Sequence, residues 1–354
     1  MSQREPLILG IESSCDETAA AVVRGGREVL SNIIATQHEL HEPYAGVVPE
    51  IASRAHIERI LPTIREAVRE AGLRYEEIDA IAVGHRPGLI GSLLVGVSAA
   101  KALAWSLDKP LIGVDHIHAH LYAGLLEDEP VTFPALGLVV SGGHTSLFLM
   151  KDFERIRVLG RTIDDAIGEA YDKAATILQL GYPGGPRLDK LAQLGDDEAY
   201  ELPVSMLERN SLDFSFSGLK TALLYAVCGK PEGRGSSARM PRDASSLSDL
   251  EKADFAASFQ RAAAQAIVRK LRRAFKQHKV KTLLTGGGVT ANSRLRHELE
   301  QMAAQRGLDL RLPRMEFCLD NAAMIAGLAA ERYRAGAFDD WTLAASPRSE
   351  TVSS

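Results

Sequence analysis

A strand, a short polar turn and a second strand occur twice in this chain, and this repetition restricts the folds that it can adopt. In the first copy, the apolar run at residues 7–12 leads into a turn of small and acidic residues, and residues 19–23 form the returning strand. In the second copy, residues 135–140 and 146–150 flank a turn at residues 141–145. Such a repeat predicts a duplicated domain of the α/β class.

The length of the chain is sufficient for two such domains. With 354 residues it can form two cores of ordinary size with a cleft between them. We expect one domain at residues 1–134 and the other at residues 135–354. Within the second domain, residues 229–250 are rich in glycine, serine, proline and charge, which predicts a mobile insertion. From residue 339 onward we expect a loose tail.

The net charge of −5 offers no overall attraction for nucleic acid, so such a contact would need a local basic patch. One candidate is the end of an amphipathic helix predicted at residues 254–275. Its basic residues are Arg269, Lys270, Arg272, Arg273, Lys276, Lys279 and Lys281. A solvated helix face is the more common explanation of such a run, and a phosphate-backbone contact is the alternative.

The cysteines and the apolar segments bear on the compartment. The three cysteines show no paired spacing, which argues against a disulfide scaffold and for a reducing, cytoplasmic setting. The first residues contain no apolar signal region. The most apolar helix candidate, residues 91–107, is interrupted by Ser98 and Lys101 and is short for a bilayer span. We interpret it as a buried core helix and expect no membrane contact.

Three histidines lie within residues 116–120, and two of them have the spacing of a metal site. His116 and His120 stand four positions apart, which places both imidazoles on one face of a helix. A helix end with solvated histidines is the alternative. Zinc proteases carry Glu after the first histidine of such a pair, whereas this chain has Ile117. A third ligand is needed, and Asp320, at the start of a helix in the second half, is the best candidate. Two histidines and one carboxylate suit catalytic iron(II) or zinc.

The two repeated turns are candidate ligand sites of different character. The first contains Asp16 and Glu17, an arrangement with which the actin and hexokinase superfamily holds a phosphate and its ion, although an ordinary hairpin explains it equally well. The second contains Gly142 and Gly143, whose backbone N–H groups suit an anion or a carboxylate. A tight hairpin is again the alternative.

Two glycine-rich loops in the second half could complete a pocket. Residues 181–186 form a rigid loop that Asp172 and Asp189 could reach. Residues 286–292 lie between a strand and a helix and match neither the Walker motif nor GxGxxG. A seat for the adenosine part of a nucleotide fits this second loop better.

Eight motifs occur along the chain in a fixed order: SSCDET, VVPEIASRAH, VDHIHAH, VSGGH, YPGGP, FSFSGLKT, GGGVTAN and FCLDNAAMIA. In this combination the chain resembles the universal family of tRNA N6-adenosine threonylcarbamoyltransferases, formerly described as O-sialoglycoprotein endopeptidases. The resemblance runs from about residue 7 to residue 336 and is closest to the bacterial type. It implies the actin-like ATPase (ASKHA) fold of two duplicated domains. It also implies transfer of a threonylcarbamoyl group from threonylcarbamoyl-AMP to N6 of the adenosine 3′ of the anticodon, in tRNAs that read codons starting with A, with release of AMP.

Residue by residue, the resemblance implies roles for the matching positions. The metal ligands fall on His116, His120 and Asp320, for Fe(II) in the first place and Zn(II) as the alternative. Acidic residues implicated in activity fall on Asp16 and Glu17. The substrate contacts fall on Val139, Val140, Ser141, Gly142, Gly143, Asp172, Gly185, Asp189 and Asn292. The resemblance further implies as partners tRNA, an inactive paralogous subunit, a P-loop ATPase and a separate synthase of threonylcarbamoyl-AMP.

Two positions depart from the family pattern. Arg86 stands before Pro87 where the family usually has glycine, and Val139 stands where archaeal-type members carry a tyrosine metal ligand. The valine leaves a metal position open for substrate or water. Three other hypotheses compete with the transferase: a metallopeptidase, a small-molecule kinase of the same superfamily, and a non-catalytic paralogue that only binds partners.

Overall fold

Two five-stranded sheets form the framework of this computed structural model, which describes residues 4–44, 46–205, 210–233 and 239–349. The strands of the first sheet are β1 (Leu7–Glu12), β2 (Glu17–Arg24), β3 (Glu28–Thr36), β4 (Ala80–Arg86) and β5 (Leu111–Asp115). Its order is β3-β2-β1-β4-β5. The central strand β1 pairs antiparallel with β2 and parallel with β4.

The second sheet repeats this topology. Its strands are β6 (Ala135–Val140), β7 (Thr145–Met150), β8 (Ile156–Arg161), β9 (Thr282–Gly286) and β10 (Asp309–Arg311). They are ordered β8-β7-β6-β9-β10, with β6 antiparallel to β7 and parallel to β9. The two sheets therefore share one strand order, which confirms the duplicated α/β fold. The chain division at residue 134 stays a prediction.

Helices connect the strands and cover the sheets. In the described residues they are α1 (His38–His41), α2 (Pro49–Glu70), α3 (Ile90–Leu107), α4 (His116–Tyr122), α5 (Ile167–Ile177), α6 (Gly184–Ala192), α7 (Ser217–Cys228), α8 (Asp249–His278), α9 (Ser293–Arg306) and α10 (Ala322–Arg334). Helix α3 is long and apolar enough to cross a membrane by length and composition alone. One such helix is weak evidence, because the core helix of a globular domain passes the same test, and α3 packs against α2 and β4.

Helix α10 belongs to the second half of the chain but packs on the first sheet. Every residue of β1 is buried, and α10 lies directly on this strand. Gly10 permits that approach, because a Cβ atom there would lie 2.4 Å from the carbonyl oxygen of Ala322. Buried side chains of α4, α10 and both sheets form one continuous apolar cluster. The start of α10, with Asp320 just before it, is thereby held against the first half.

The segment after α10 is not a loose tail. The N–H of Asp339 donates to the carbonyl of Leu111 at 2.8 Å, which extends the first sheet beyond β5. Further along, the N–H of Ser346 donates to the carbonyl of His85 at 2.9 Å. The predicted loose tail is therefore wrong for residues 339–349. These contacts are backbone hydrogen bonds to β5 and β4, which composition does not reveal.

Part of the predicted insertion at residues 229–250 is anchored to the domain. Ala244 is fully buried, and Arg242 donates to the carbonyls of Ala226 and Val227. Helix α8 already begins at Asp249, after the capping residue Ser248. Residues 234–238 lie outside the described part of the chain, so mobility there stays a prediction.

Candidate metal centre and active-site cleft

Strand β5 leads directly into the short helix α4, which carries the histidines. Asp115 caps this helix, since its Oδ1 accepts hydrogen bonds from the N–H groups of Ile117 at 3.0 Å and His118 at 3.3 Å. One turn of helix separates His116 from His120, and their ring centroids lie 4.6 Å apart. His118 points away from the pair and packs edge-on against Phe148. The predicted geometry of the pair is therefore present.

Asp320 completes a cluster with the two histidines. Its Oδ1 lies 3.5 Å from Nε2 of His116 and 3.2 Å from Nε2 of His120. Asn321 holds this position by capping α10 and by donating to the carbonyls of Phe317 and Leu319. One ligand atom from each of the three residues falls within 4.8 Å of the others, a spacing that could hold a metal ion.

The chemistry of this donor set fits a divalent cation. His120 is fully buried, and neither of its ring nitrogens has a hydrogen-bond partner of regular geometry in the described residues. Burial lowers the pKa of His120 and so favours the neutral, ligating imidazole. For Asp320, burial opposes ionisation, but His116 and His120 outweigh it and lower the pKa of the carboxyl. For His116, burial is outweighed by Glu12 and Asp320, which raise its pKa to about 9.

The cluster lies at a cleft of about 700 Å³ between the two halves. Both repeated turns reach this cleft, as do the start of α3 and the tail. The lining residues include Asp16, Glu17, Leu89, His116, Ser141, Gly142, Gly143, Asp172, Tyr182, Asp320 and Pro347. The volume is that of a typical small-molecule site.

The glycine turn offers donors to this cleft. Its own structure uses the N–H of Ser141, which donates to the carbonyl of His144, and the N–H of His144, which donates to Oγ of Ser141. The N–H groups of Gly142 and Gly143 make no hydrogen bond within the described part of the chain, and both glycines line the cleft. Two such donors suit a carboxylate or a phosphate oxygen.

The acidic turn faces the same space. His56 of α2 holds it from behind, since its Nε2 lies 2.9 Å from the carbonyl oxygen of Cys15 and its Nδ1 lies 2.8 Å from Oγ1 of Thr18. Nε2 of His38 lies 3.2 Å from Oε1 of Glu17. Burial, opposed in part by His38, raises the pKa of Glu17 to about 8. This turn therefore presents a carboxyl group that titrates near neutral pH.

Comparison with known proteins identifies the family. A family model described as tRNA N6-adenosine threonylcarbamoyltransferase matches residues 28–327. The chain belongs to this family. The enzyme of that name from Symbiobacterium thermophilum is 53% identical over 97% of this chain and 96% of its own length. That from Bacillus subtilis is 48% identical over 95% of this chain and 94% of its own. The protein is thus a transferase of a tRNA-modifying family.

Solved structures at lower identity show the fold. HypF of T. kodakarensis matches with a TM-score of 0.59 at 17% identity, over 93% of this chain and 48% of that one. Component A of the (R)-2-hydroxyglutaryl-CoA dehydratase of Acidaminococcus fermentans matches with a TM-score of 0.50 at 15% identity, over 93% of this chain and 99% of that one. The predicted actin-like ATPase fold is confirmed.

The remaining positions implied by the family pattern lie at different depths. Val139 and Val140 are buried within β6. Asp172 lines the cleft, and its Oδ1 accepts hydrogen bonds from the N–H groups of Gly184 at 3.0 Å and Gly185 at 3.2 Å. The side chain of Asp172 therefore reaches the cleft, whereas the two valines lie behind the glycine turn.

Two other family positions meet at the start of α9. Asn292 caps this helix through Leu295, and its Nδ2 donates to Oδ1 of Asp189 at 3.1 Å. Asp189 also accepts hydrogen bonds from the N–H and the hydroxyl of Ser293. This network fixes the end of the loop that carries Gly288, a residue of the cleft wall.

Sequence reasoning missed several residues of the site. Glu12 lies directly behind His116, with its Oε2 3.0 Å from Nδ1 of the imidazole. His144 and Tyr182 line the cleft, and burial together with the neighbouring histidines lowers the pKa of His144 to about 4. Pro347 reaches the cleft from the tail. His144 and Tyr182 stand inside recognised motifs, a signal that could have found them, whereas Pro347 carried none.

Proposed function

We propose that this protein transfers a threonylcarbamoyl group from threonylcarbamoyl-AMP to N6 of the adenosine 3′ of the anticodon, in tRNAs that read codons starting with A, and releases AMP. One observation carries this proposal: a single cleft contains both the cluster of His116, His120 and Asp320 and the unused N–H groups of Gly142 and Gly143. The donor has a phosphate at one end and a carboxylate at the other, and this cleft offers separate groups for each.

His116, His120 and Asp320 would hold one divalent metal. We propose Fe(II) in preference to Zn(II), because two histidines and one carboxylate with open positions are the usual ligands of non-haem iron(II). When bound, the metal supplies a Lewis acid that stabilises negative charge on an oxygen of the donor. His120 is fully buried and His116 is buried, so the metal would lie in surroundings of low polarity. Electrostatic attraction between the metal and the donor oxygen is stronger there than in water.

The residues of the chain do the remaining work by binding and orientation. Gly142 and Gly143 hold the threonyl carboxylate or the carbamoyl oxygen by backbone hydrogen bonds. The acceptor amine is a poor nucleophile, because its lone pair is delocalised into the adenine ring, so positioning has to supply much of the rate. Glu17, with its pKa raised to about 8, is protonated in most molecules at neutral pH, and its ionised form is a stronger base than an ordinary carboxylate. This ionised form would accept the proton that the amine loses, with Asp16 beside it.

The other substrate contacts follow from the family pattern. We propose that Asp172 contacts the donor from the cleft wall, together with Gly185. Asp189 and Asn292 would seat the adenosine part through the loop that they fix at the start of α9. The two valines, Val139 and Val140, would contribute backbone atoms, since their side chains are buried.

For partners, we propose an inactive paralogous subunit and a P-loop ATPase, with the donor supplied by a separate synthase. The paralogue would dock on the first half, where α2 and α3 pack side by side and expose apolar side chains. Ile57 and Leu61 of α2 are 66% and 58% exposed, and Ile90 and Leu94 of α3 are 47% and 51% exposed. Each pair is spaced by four residues, so the exposed chains form a strip on each helix. Such an apolar surface is typical of an interaction site.

For tRNA, we propose contact with the exposed basic residues at the end of α8. Lys270 is buried, and its Nζ donates to the carbonyl of Ser211 at 2.8 Å. Arg273 donates to the same carbonyl at 2.7 Å. These two residues therefore have structural roles, and the exposed cations left for phosphates are Arg269, Arg272, Lys276, Lys279 and Lys281. Because tRNA is the proposed substrate, we also propose a cytoplasmic location for the protein.

Nucleoside mass spectrometry tests the reaction. tRNA is incubated with the protein, purified threonylcarbamoyl-AMP and the partner proteins, and both threonylcarbamoyladenosine and AMP are quantified. We expect the two products in equal amounts, and neither with Asp320→Asn. If AMP is released but no modified adenosine forms, the protein hydrolyses the donor and the proposed transfer is wrong. The peptidase hypothesis has no support at this site, because the residue after His116 is the buried, apolar Ile117.

A further inference from the structure

A buried acid stands behind the metal cluster, and the proposed chemistry does not use it. Glu12 is the last residue of β1 and is fully inaccessible to solvent. A buried carboxylate is costly unless its oxygens accept hydrogen bonds. Glu12 meets this condition at both oxygens: Oε1 accepts a hydrogen bond from the N–H of Ser14 at 2.5 Å, and Oε2 lies 3.0 Å from Nδ1 of His116.

The neighbouring backbone leaves just enough room for this carboxylate. A Cβ atom at Gly84 of β4 would lie 2.5 Å from Oε2 of Glu12. Any residue larger than glycine at this position would displace the oxygen that faces His116. The position of the carboxylate therefore depends on two elements, β1 and β4, as well as on the turn that follows β1.

We propose that Glu12 is the positioning residue of the metal centre, which it orients through His116. An ionised carboxylate accepts hydrogen bonds and donates none, so the contact at 3.0 Å requires a proton on Nδ1 of His116. In the neutral ring that metal binding requires, the lone pair is then on Nε2, the atom that faces Asp320. Glu12 thus selects the tautomer of His116 that can bind the metal and fixes the plane of the ring.

The second histidine, His120, is held differently, so the role of Glu12 is specific to His116. Nδ1 of His120 has no hydrogen-bond partner among the described residues. The orientation of His120 therefore depends on packing in the core, and that of His116 on a charged hydrogen bond. Together with Asp320, Glu12 also provides two negative charges around the position of a divalent cation. We therefore expect the loss of Glu12 to weaken metal binding without removing any ligand.

Glu12→Gln is the direct test, because the amide cannot satisfy both neighbours. If its oxygen accepts from Ser14, its NH2 group faces Nδ1 of His116 and selects the wrong tautomer. We expect the affinity for Zn²⁺, measured by competition with a chromophoric chelator, to fall by roughly 10- to 100-fold. We also expect the visible spectrum of the Co²⁺-loaded protein to change, since the geometry of one ligand changes. A residue that only supports the fold would lower the stability of the metal-free protein and leave the affinity unchanged.

A second variant keeps the carboxylate and moves it. Gly84→Ala should push Glu12 away from His116 and weaken Zn²⁺ binding in the same direction. Gly218→Ala is the matched control, because a Cβ atom at this position of α7 has no atom within 4 Å apart from its chain neighbours and the backbone of its own helix. The affinity of this variant should not change. Parental affinity in Glu12→Gln would overturn the proposal. If Glu12→Gln does not fold, Gly84→Ala decides the question in the same way.

The inference rests on the proposed metal centre. One reference variant distinguishes an error in the metal centre from an error in the role of Glu12. His116→Gln should lose Zn²⁺ binding altogether. If it keeps parental affinity, the metal centre itself is misplaced and the proposed function fails at that point. If it loses the metal while Glu12→Gln and Gly84→Ala bind as tightly as the parent, only the role of Glu12 is wrong. None of these measurements requires tRNA or the partner proteins.

Discussion

Arg86 and Asp115 form an ion pair at the start of α4, the helix that carries the histidine pair, with Nε of Arg86 3.5 Å from Oδ2 of Asp115. The other oxygen of Asp115 caps α4. The arginine that departs from the family pattern therefore supports the cap of the helix that carries both histidines. Its side chain is 22% exposed and that of Asp115 is 4% exposed, so the pair is largely desolvated.

We predict that Arg86→Ala lowers the free energy of unfolding by about 1–3 kcal/mol, because it leaves a buried carboxylate without its cation. Urea unfolding measures the change. The control is Arg4→Ala, whose ion pair with Asp79 involves an arginine side chain that is 66% exposed. Surface pairs contribute about 0–1 kcal/mol, so this control should change little. Equal effects of the two substitutions would show that the Arg86 pair does not support the cap.

The proposed metal ligands give a second prediction. Asp320→Asn and His116→Gln should each lose bound metal and transfer activity, because each removes one of three ligands from the cluster. His116 and His120 are buried, so near-isosteric substitutions are preferable to alanine. Metal content by atomic emission spectrometry measures the outcome.

His118→Ala is the matched control for the metal centre. It lies on the same helix but packs against Phe148 instead of facing Asp320. Its metal content should equal that of the parent protein. Full metal occupancy in Asp320→Asn would remove that residue from the ligand set.

Glu17 gives a prediction about pH. Its pKa is raised from 4.5 to about 8 in the folded protein, mainly by burial, and that of His38 is also raised through its contact with Glu17. Groups with raised pKa values contribute stability that is complete below their unfolded pKa and is lost as the pH rises through the folded value. The metal-free parent should therefore lose stability relative to Glu17→Gln between about pH 5 and pH 9.

The size of this effect is measurable. Each pKa unit corresponds to about 1.4 kcal/mol, so the difference between parent and variant should change by at least about 1 kcal/mol over that range. Chemical unfolding at several pH values gives the difference directly. Glu58→Gln, at an exposed position of α2, is the control for replacing a surface carboxyl by an amide. A constant difference for Glu17→Gln would contradict the buried, protonated state of this carboxyl.

Local patterns predicted much of the site, because the relevant geometry is local. The spacing of His116 and His120 places them one turn apart on any helix, and the glycine turn follows a buried strand that composition alone reveals. Asp320 could be placed opposite the histidines only through the duplicated fold, since it lies 204 positions after His116 and 200 after His120.

Other features depended on distant partners and had no local signal. Lys270 belongs to a run of basic residues that suggests a solvated face, but its ammonium group is bound by the carbonyl of Ser211, 59 residues away. Glu12 resembles a charged residue at the end of a strand, and its role appears only when His116 lies beside it. The tail after residue 339 is held by backbone hydrogen bonds, which leave no trace in residue type.

The basic end of α8 gives a prediction about tRNA. Reversal of two exposed cations, Arg272→Glu with Lys276→Glu, should weaken tRNA binding and flatten its salt dependence. Each phosphate contact contributes roughly 0.7–0.9 to the slope of log affinity against log salt, so the slope should fall by about 1 to 2. Titrations at several salt concentrations measure it, and the metal content should not change.

Unchanged affinity and slope would favour a solvated helix face. Lys270 and Arg273 are excluded from the test because they hold Ser211.

The apolar strip on α2 gives a prediction about the paralogous subunit. Ile57→Asp with Leu61→Asp places two charges on a surface that is exposed in the free protein, so the fold and the metal content should be retained. An interface that buries these side chains would have to desolvate both charges, so binding of the paralogue should fall by at least about 100-fold, which corresponds to roughly 2.7 kcal/mol. Isothermal titration calorimetry or analytical ultracentrifugation of the two purified proteins measures it.

Leu194→Asp is the control, since this leucine is 74% exposed but lies in the second half of the chain, and binding should be unchanged. If the double variant binds the paralogue as tightly as the parent, the interface does not include α2. A loss of binding in Leu194→Asp instead would move the interface to the second half.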